Sequence, residues 1–522
     1  MNSLQYLDYL VFGMYFFMVI GLAYYVSRSP EDAKRSAEDY FLAGRSLPWW
    51  IIGASLIASN ISTEQIIGMN GTAFESGIAV ISYSLIGASI TILIVGKFFL
   101  PRFLATKIYS MPEFLERRFD RRVSTLMSVF WILVYVLVNL TSVLSLGAIT
   151  LEAVLGIPIF YSVLVLALIS GFYTIYGGLS AVAWTDFIQV TVLVLGGIAV
   201  LWFGLDLVAE KYTSEGAWQG WKALMSAQPD KIHTVLAASH DELPWTGVFL
   251  GGLWIAALSY WGCNQYIIQR ALAAKDLRAA QHGLLFAAIL SIIVAAIIVI
   301  PGVIASELYH NQISARDQAF PVLIRELLPP GFSGLVIAAL VAAIISSLNS
   351  MCNSVATIFT MDIYRHSIHV GAGDAVLIRV GRIATAIALL IAVMMTPMVV
   401  SMGKLFAFIQ EYTGFVTPGV VCIFLLGLFW KRMSSRAAIW VILLTIPISL
   451  LLKVTLPAFA FLDRMTIVFL VLMVMAWVIS QGSQSVCVWR FHEDRMQPAS
   501  PIFDIGALVV VSIIAIFYVC FA

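Results

Sequence analysis

Two short runs of this sequence put oxygen-bearing side chains where hydrocarbon would be expected. The first reads Ala58-Ser59-Asn60-Ile61-Ser62-Thr63-Glu64-Gln65, six polar side chains in eight positions, followed by Gly68, Asn70 and Gly71. Polar groups inside a spanning helix are costly and by default mark a pathway. A helix broken at such a point can turn its freed carbonyls toward a cavity. In the second run, Ser346, Asn349, Ser350 and Asn353 fall at i, i+3, i+4 and i+7, one helical stripe with Ser347 beside it. A hard monovalent cation such as Na+ wants several oxygens and no sulfur or nitrogen, and it needs no carboxylate. Hydroxyls of the second run facing loosened carbonyls of the first would supply them. The plainer alternative for both runs is helix–helix contact through small polar residues.

Other positions carry weaker signals. Asp186 reads either as a helix N-cap in Trp184-Thr185-Asp186 or as an acid on an ion path. Gln410-Glu411-Tyr412-Thr413-Gly414 is expected to interrupt its helix, with Pro418-Gly419 beyond it. Tyr260-Trp261 reads as a lid over a pocket or as aromatic packing, and Gly177-Gly178 as a tight turn. The five cysteines lack metal or disulfide spacing, and the seven histidines are scattered through loops and helix ends. No HExxH, P-loop, GxGxxG, CxxC or GxSxG motif is present, so enzyme chemistry is not expected.

The elements that must position these groups are membrane helices. Of 522 residues, 61% are apolar and 11% charged, with a mean hydropathy of +0.95. Soluble domains carry about a quarter charged residues, and transmembrane barrels alternate polar with apolar instead of running apolar for twenty. A net charge of +1 with no basic arm excludes nucleic-acid binding. The fold class expected is therefore an all-α polytopic membrane protein. At about 20 apolar residues per crossing, fourteen spans are predicted: 6–26, 47–73, 78–99, 123–154, 158–175, 181–207, 246–265, 279–305, 330–362, 374–401, 404–429, 437–455, 465–482 and 503–521. Most of the 30 Lys and Arg follow odd-numbered spans, Arg118 and Arg270 among them, which makes that face cytoplasmic and puts both termini outside. The first span, 6–26, has no basic n-region or cleavage site and reads as a retained helix. The whole chain, 1–522, reads as one membrane domain.

The motif residues now carry a resemblance. Tyr40-Phe41-Leu42-Ala43-Gly44-Arg45-Ser46-Leu47-Pro48-Trp49-Trp50 resembles the start of the first core helix of the sodium/solute symporter family. The run Ile175-Tyr176-Gly177-Gly178-Leu179-Ser180-Ala181-Val182-Ala183-Trp184-Thr185-Asp186 is similar to a signature of that family. So are Asn264-Gln265-Tyr266-Ile267-Ile268-Gln269-Arg270 and the stretch around Ser346. Within the family, the likeness is strongest to the bacterial sodium/galactose, or sodium/glucose-type, branch. It implies a leucine-transporter-type core of two inverted five-helix repeats, 47–207 and 246–429. One leading helix (6–26) precedes this core and three trailing helices (437–521) follow it.

The resemblance also implies residue roles. Na+ would be held by the carbonyls of Ala58, Ile61 and Ala343 and the hydroxyls of Ser346 and Ser347. A subset of the family adds a second Na+, here drawing on Ser346, Asn349 and Ser350 near Asp186. Asn60, Gln65 and Gln410 match positions that bond sugar hydroxyls, Tyr260 the aromatic floor, and Met69, Tyr83 and Phe406 an outer gate. Four polar contacts of the galactose branch are changed: a glutamate is Ser84, a serine Gly87, an asparagine Ala257 and a lysine Ser291. Losing bonds that a site is built to make alters selectivity by orders of magnitude, so galactose is doubtful and the emptied volume points to a bulkier or less densely bonded solute. The expectation is a Na+-coupled symporter of a neutral sugar or sugar-like solute, in the bacterial cytoplasmic membrane, with no obligatory protein partner implied. The rival is a carboxylate, amino acid or sugar acid as solute. A sodium-sensing receptor or an intramembrane enzyme is set aside for want of an output domain or a catalytic constellation.

Overall fold

The computed structural model describes residues 5–27, 36–62, 64–401, 405–482 and 498–522; the side chains of 64, 153, 154, 173, 176, 317, 401 and 405–412 are outside that description. The described residues are helical, with one isolated bridge between Leu47 and Ala274. In chain order the main helices are α1 (Tyr6–Ser27), α2 (Trp49–Asn60), α3 (Asn70–Ser76), α4 (77–106), α5 (Met111–Arg118), α6 (121–155) and α7 (Ile159–Lys211). Then follow α8 (Ala217–Ala227), α9 (246–263), α10 (Gln265–Leu272), α11 (Leu277–Leu308), α12 (332–368), α13 (Asp374–Ser401), α14 (Leu405–Phe429), α15 (Ser435–Thr455), α16 (Phe461–Gln481) and α17 (Pro501–Cys520).

Among the described residues ten helices are long and apolar enough to cross a membrane, and Ile159–Phe172 and Thr413–Phe429 are shorter apolar ones. Reaching fourteen crossings requires those two and the two interrupted segments, α2–α3 and α9–α10, to cross as well. Helix α12 forms the axis: 94% of its apolar window is buried, against 17% for α1 and for α17. Such different burial assigns α12 to helix–helix contact and the terminal helices to lipid.

Helix α2 ends at Asn60 without glycine or proline. Ile61 is extended (φ −76°, ψ 109°), and the Ser62 carbonyl accepts from the amides of Gln65 and Ile66 to start the next turn. This is the break expected in the second span. A second break, at Asn264, was not expected from the sequence, which reads 246–265 as one uninterrupted span. Asn264 is extended and its side chain caps α10, accepting from the Tyr266 amide at 3.3 Å. The Tyr135 hydroxyl bridges the gap, donating to Asn264 Oδ1 at 2.6 Å and accepting from the Gln265 amide at 3.0 Å.

Three expectations are corrected. Helix α14 runs unbroken through Gln410–Gly414 with Pro418 inside it. Gly414 there lies against Phe461 and Met465 of α16, so it makes room for a neighbouring helix and ends nothing. Asp186 is no N-cap, because it sits inside α7, past the kink at Gly178. Arg118 and Arg270 are no loop charges, because both side chains are fully buried. Arg118 caps the end of α14, donating to the carbonyls of Gly427 at 2.8 Å and Trp430 at 3.0 Å, where the helix leaves acceptors unpaired.

The kink in α7 is the turn foreseen at Gly177-Gly178. Gly178 takes φ 61° and ψ −161°, and a Cβ there would lie 2.5 Å from the Tyr40 carbonyl. Two motifs that lie far apart in sequence therefore meet, and the Tyr40 hydroxyl donates to the Thr174 carbonyl at 2.9 Å. Close approach also joins α2 to α11: a Cβ on Gly53 would lie 2.6 Å from the Gly283 carbonyl. Small residues set such spacing between membrane helices.

Gly178→Ala should destabilise the detergent-purified protein by about 1–3 kcal/mol through backbone strain. Gly21→Ala in α1, with nothing within 4 Å of its Cβ, should leave the melting midpoint in place. Equal midpoints for the two variants would contradict the strained kink.

Candidate ion and solute site

The break in α2 leaves the carbonyls at its C-terminal end without helical partners. Helix α12 brings Ser347 to them: its hydroxyl lies 3.4 Å from the carbonyl oxygens of both Ser59 and Ile61. A hard cation held at about 2.4 Å by ligands at right angles spaces neighbouring oxygens about 3.4 Å apart. The donor set, carbonyls and hydroxyls without nitrogen or sulfur, is the chemistry a Na+ ion takes. Ala58 and Ile61 at the break and Ala343 and Ser346 on α12 are buried. Ser346 donates its proton to Asp186 Oδ1 at 2.6 Å, which leaves the lone pairs of that hydroxyl for a cation.

Behind this cage is a buried ion pair. Asp186 on α7 and Arg270 on α10 are both 0% exposed, with Arg270 Nη2 3.4 Å from Asp186 Oδ2. Ser55 of α2 joins them, donating to Asp186 Oδ2 at 2.5 Å and accepting from Arg270 Nε at 2.8 Å. Arg270 also donates to the Tyr266 carbonyl and the Ser350 hydroxyl. Ser350 Oγ is in turn 2.9 Å from Ser59 Oγ. Four helices, α2, α7, α10 and α12, thus meet on one carboxylate and one guanidinium. Arg270 was missed as a site residue by sequence reasoning; the signal available was its place in the motif beginning at Asn264. Asn349 faces elsewhere, with Oδ1 accepting from Ser170 Oγ at 2.7 Å and from Thr174 Oγ1 at 3.3 Å.

Beyond the same break stand the groups expected to meet a solute. Asn60 and Gln65 pair amide to amide, Nδ2 to Oε1 at 3.2 Å and Nε2 to Oδ1 at 3.1 Å, and both are half-buried. Tyr260 is half-buried at the end of α9, edge-on to Trp261 and to Tyr266. Met69 is buried and Tyr83 half-buried. The four changed positions share one closed region. Ser291 Oγ donates to the Ser84 carbonyl at 3.4 Å, and a Cβ on Gly87 would lie 3.3 Å from Leu253 Cδ1, one turn before Ala257. Leu253 is 1% exposed, so the space opposite Gly87 is filled by its side chain instead of standing empty. The side chains of Gln410 and Phe406 lie outside the described residues.

At another end of the interrupted helix, Glu75 in the last turn of α3 pairs with Arg316 at 3.2 Å. Arg316 also meets Glu242 at 2.8 Å. Burial opposes the Arg316 charge, but Glu242 and Glu75 outweigh it and raise its pKa. Lys231 donates to the Phe74 carbonyl at 2.7 Å, so two loops clasp this end of α3.

With this geometry in place, known proteins can be compared. The sequence model of the sodium:solute symporter family matches residues 40–445. A sodium/glucose cotransporter of Vibrio parahaemolyticus is 44% identical, covering 100% of this chain and 99% of its own. The sodium/myo-inositol cotransporter 2 of Oryctolagus cuniculus is 33% identical over 84% of this chain and 68% of its own. Sodium/glucose cotransporter 1 of the same species is 32% identical over 83% and 70%. Of the solved structures, a Na+-coupled sialic acid symporter in a substrate-bound outward-open state gives a TM-score of 0.80 at 22% identity, over 92% of this chain and 99% of that one. A nucleobase-cation-symport-1 family transporter in a closed conformation gives 0.56 at 15% identity, over 88% and 97%. At these identities the two structures establish the fold alone.

Asp186→Ala should cost about 3–5 kcal/mol of stability by stranding a buried guanidinium, whereas pairing Asp186→Leu with Arg270→Leu should recover much of that loss. Thermal melting in detergent reads both. A double variant no more stable than Asp186→Ala would contradict the ion pair.

Proposed function

The chain belongs to the sodium:solute symporter family, and from that premise we propose that it carries a neutral sugar or sugar-like solute across a membrane together with Na+. The observation that carries this reading is the Ser347 hydroxyl set between the carbonyls of Ser59 and Ile61. Ion ligands and solute ligands then hang on one break in one helix, Ala58 and Ile61 on the ion side and Asn60 and Gln65 on the solute side. An ion bound between α2 and α12 fixes the break, and the fixed break fixes the amides. Ion and solute therefore prefer the same conformation, which is the thermodynamic content of coupling.

In this reading Na+ sits among the carbonyls of Ala58, Ile61 and Ala343 and the hydroxyls of Ser346 and Ser347. Asn60, Gln65 and Gln410 bond the solute and Tyr260 stacks on it, with Met69, Tyr83 and Phe406 closing over them. The wall at Ser84, Gly87, Ala257 and Ser291 gives little hydrogen bonding, because the Ser291 hydroxyl is turned to a carbonyl and Leu253 fills the space opposite Gly87. Such a wall suits another hexose or a polyol better than galactose, and the names of the glucose and myo-inositol relatives accord with that. Arg270 is committed to Asp186 and offers nothing to a carboxylate, amino acid or sugar acid. The segments 47–207 and 246–429 act as inverted repeats, each opening on an interrupted helix, with 6–26 before and 437–521 after. The protein spans the bacterial cytoplasmic membrane with both termini outside, and this reading implies no obligatory protein partner.

Uptake into proteoliposomes tests this directly. An inward Na+ gradient should drive accumulation of glucose or myo-inositol at least about tenfold better than galactose, and K+ in place of Na+ should abolish it. Equal uptake in K+, or uptake confined to anionic solutes, would overturn the reading. Ser347→Ala should raise the Na+ concentration for half-maximal uptake by about tenfold, a loss of roughly 1.4 kcal/mol. Gln65→Ala should raise the KM for solute while leaving Na+ binding in place.

A further inference from the structure

The clasp at the outer end of α3 joins two helices through one side chain. Resting on the symport reading above and its orientation, α3 and α9 flank the outer part of the solute path, with Met69 just before α3 and Tyr260 on α9. Arg316 comes from the segment between α11 and α12 and reaches both flanks. Its Nη1 lies 3.2 Å from Glu75 Oε2, in the last turn of α3, and 2.8 Å from Glu242 Oε1, just before α9 begins. Among the described residues neither carboxylate has another ion pair, and Lys231 nearby donates to the Phe74 carbonyl. The backbone of the same segment presses on α3. A Cβ on Gly71 would lie 2.7 Å from the Arg316 carbonyl oxygen, and the His310 ring stacks on Phe74 at 5.8 Å. Behind this closure Met69 is 5% exposed. With the guanidinium present, the outer ends of α3 and α9 are drawn together; without it, two like charges are left to repel. The three side chains are 21% (Arg316), 53% (Glu75) and 46% (Glu242) exposed. Ion pairs this wet are weak and screened by salt, as a contact made and broken in each transport cycle has to be.

We propose that Arg316 is an ionic latch that holds the outer mouth shut by tying both interrupted helices to one guanidinium, and that salt outside the cell loosens it. Opening outward breaks one or both pairs. Arg316 therefore sets the fraction of chains open to the outside, and through that fraction the apparent affinity for outside solute, without touching the solute.

Thiol labelling reads the opening without transport. Met69→Cys places a thiol behind the latch, in a parent chain that also carries Cys487→Ser and Cys520→Ser. A neutral, membrane-impermeant maleimide is added to right-side-out vesicles in Na+ without solute; a neutral reagent is not itself drawn to or repelled from the mouth. At low ionic strength, labelling should be about fivefold faster in Arg316→Gln than in the parent, the shift expected from losing pairs of this exposure. Arg316→Lys, which keeps the charge, should stay near the parent rate. Raising the ionic strength with choline chloride from about 0.01 M to about 1 M shortens the reach of charges from roughly 30 Å to roughly 3 Å. Salt should then quicken labelling of the parent, where it screens attraction, and slow that of Arg316→Gln, where it screens repulsion. Equal rates at low salt, or salt quickening both chains alike, would overturn the latch. Glu75→Gln combined with Glu242→Gln removes the pairs from the other side and reads the latch even if Arg316→Gln does not fold. It should label faster than the parent at low salt and be indifferent to choline chloride, and a rate equal to the parent's would overturn the proposal as well. Sodium-independent uptake would fall on the symport reading, whereas these labelling rates fall on Arg316 alone.

Discussion

An α-helix can stop inside hydrocarbon only where something other than lipid meets the carbonyls it leaves unpaired. In this protein α2 stops at Asn60, and what meets it is α12, the most enclosed of the long helices. The serine-rich stripe of α12 follows from that position. Ser346, Ser347 and Ser350 are small enough to let α2 approach and polar enough to face its free end. The same surface that meets the broken helix sets the Ser347 hydroxyl beside the Ser59 and Ile61 carbonyls, the oxygen donors that the proposed Na+ site draws on.

The four sequence motifs make sense as contacts around that arrangement. The Tyr40 stretch packs on the kink at Gly178, and the Phe41 carbonyl accepts from Gln269 at 2.8 Å. Arg270, next along α10, reaches Ser55 of α2 and Asp186 of α7, while Ser346 of α12 completes the Asp186 shell. Each motif holds a partner that another motif presents. A movement of α10 would draw on Asp186 and so on Ser346, one turn beyond Ala343. Both interrupted helices are thereby tied to one buried charge pair, which costs a great deal to split.

Much of this was legible in the sequence because its signals are local. Twenty-residue apolar runs report a membrane fold regardless of what they contact, and the polar run at 58–65 reports its own break. What failed to show was non-local. Arg270 stands near Lys275 and Arg278 and reads with them as a loop charge; its partner Asp186 is 84 residues away. The break at Asn264 depends on Tyr135, 129 residues earlier, whose hydroxyl replaces the lost helix bonds. The space opposite Gly87 looked empty because Leu253, which fills it, lies in another helix. Gln410–Gly414 erred the other way: polar residues and glycine imitate a break, yet α14 continues because α16 packs against Gly414.

The central claim is that ion and solute share the break between Asn60 and Gln65. Linkage makes this measurable at equilibrium on purified protein, without transport. The affinity for the transported sugar should rise on adding Na+ by some factor, and the affinity for Na+ should rise on adding that sugar by the same factor. Titration calorimetry in Na+ and in K+ gives both values. Equal factors above about fivefold are the predicted result. A sugar affinity that is the same in Na+ and in K+ would contradict a shared break and place the two ligands on independent sites.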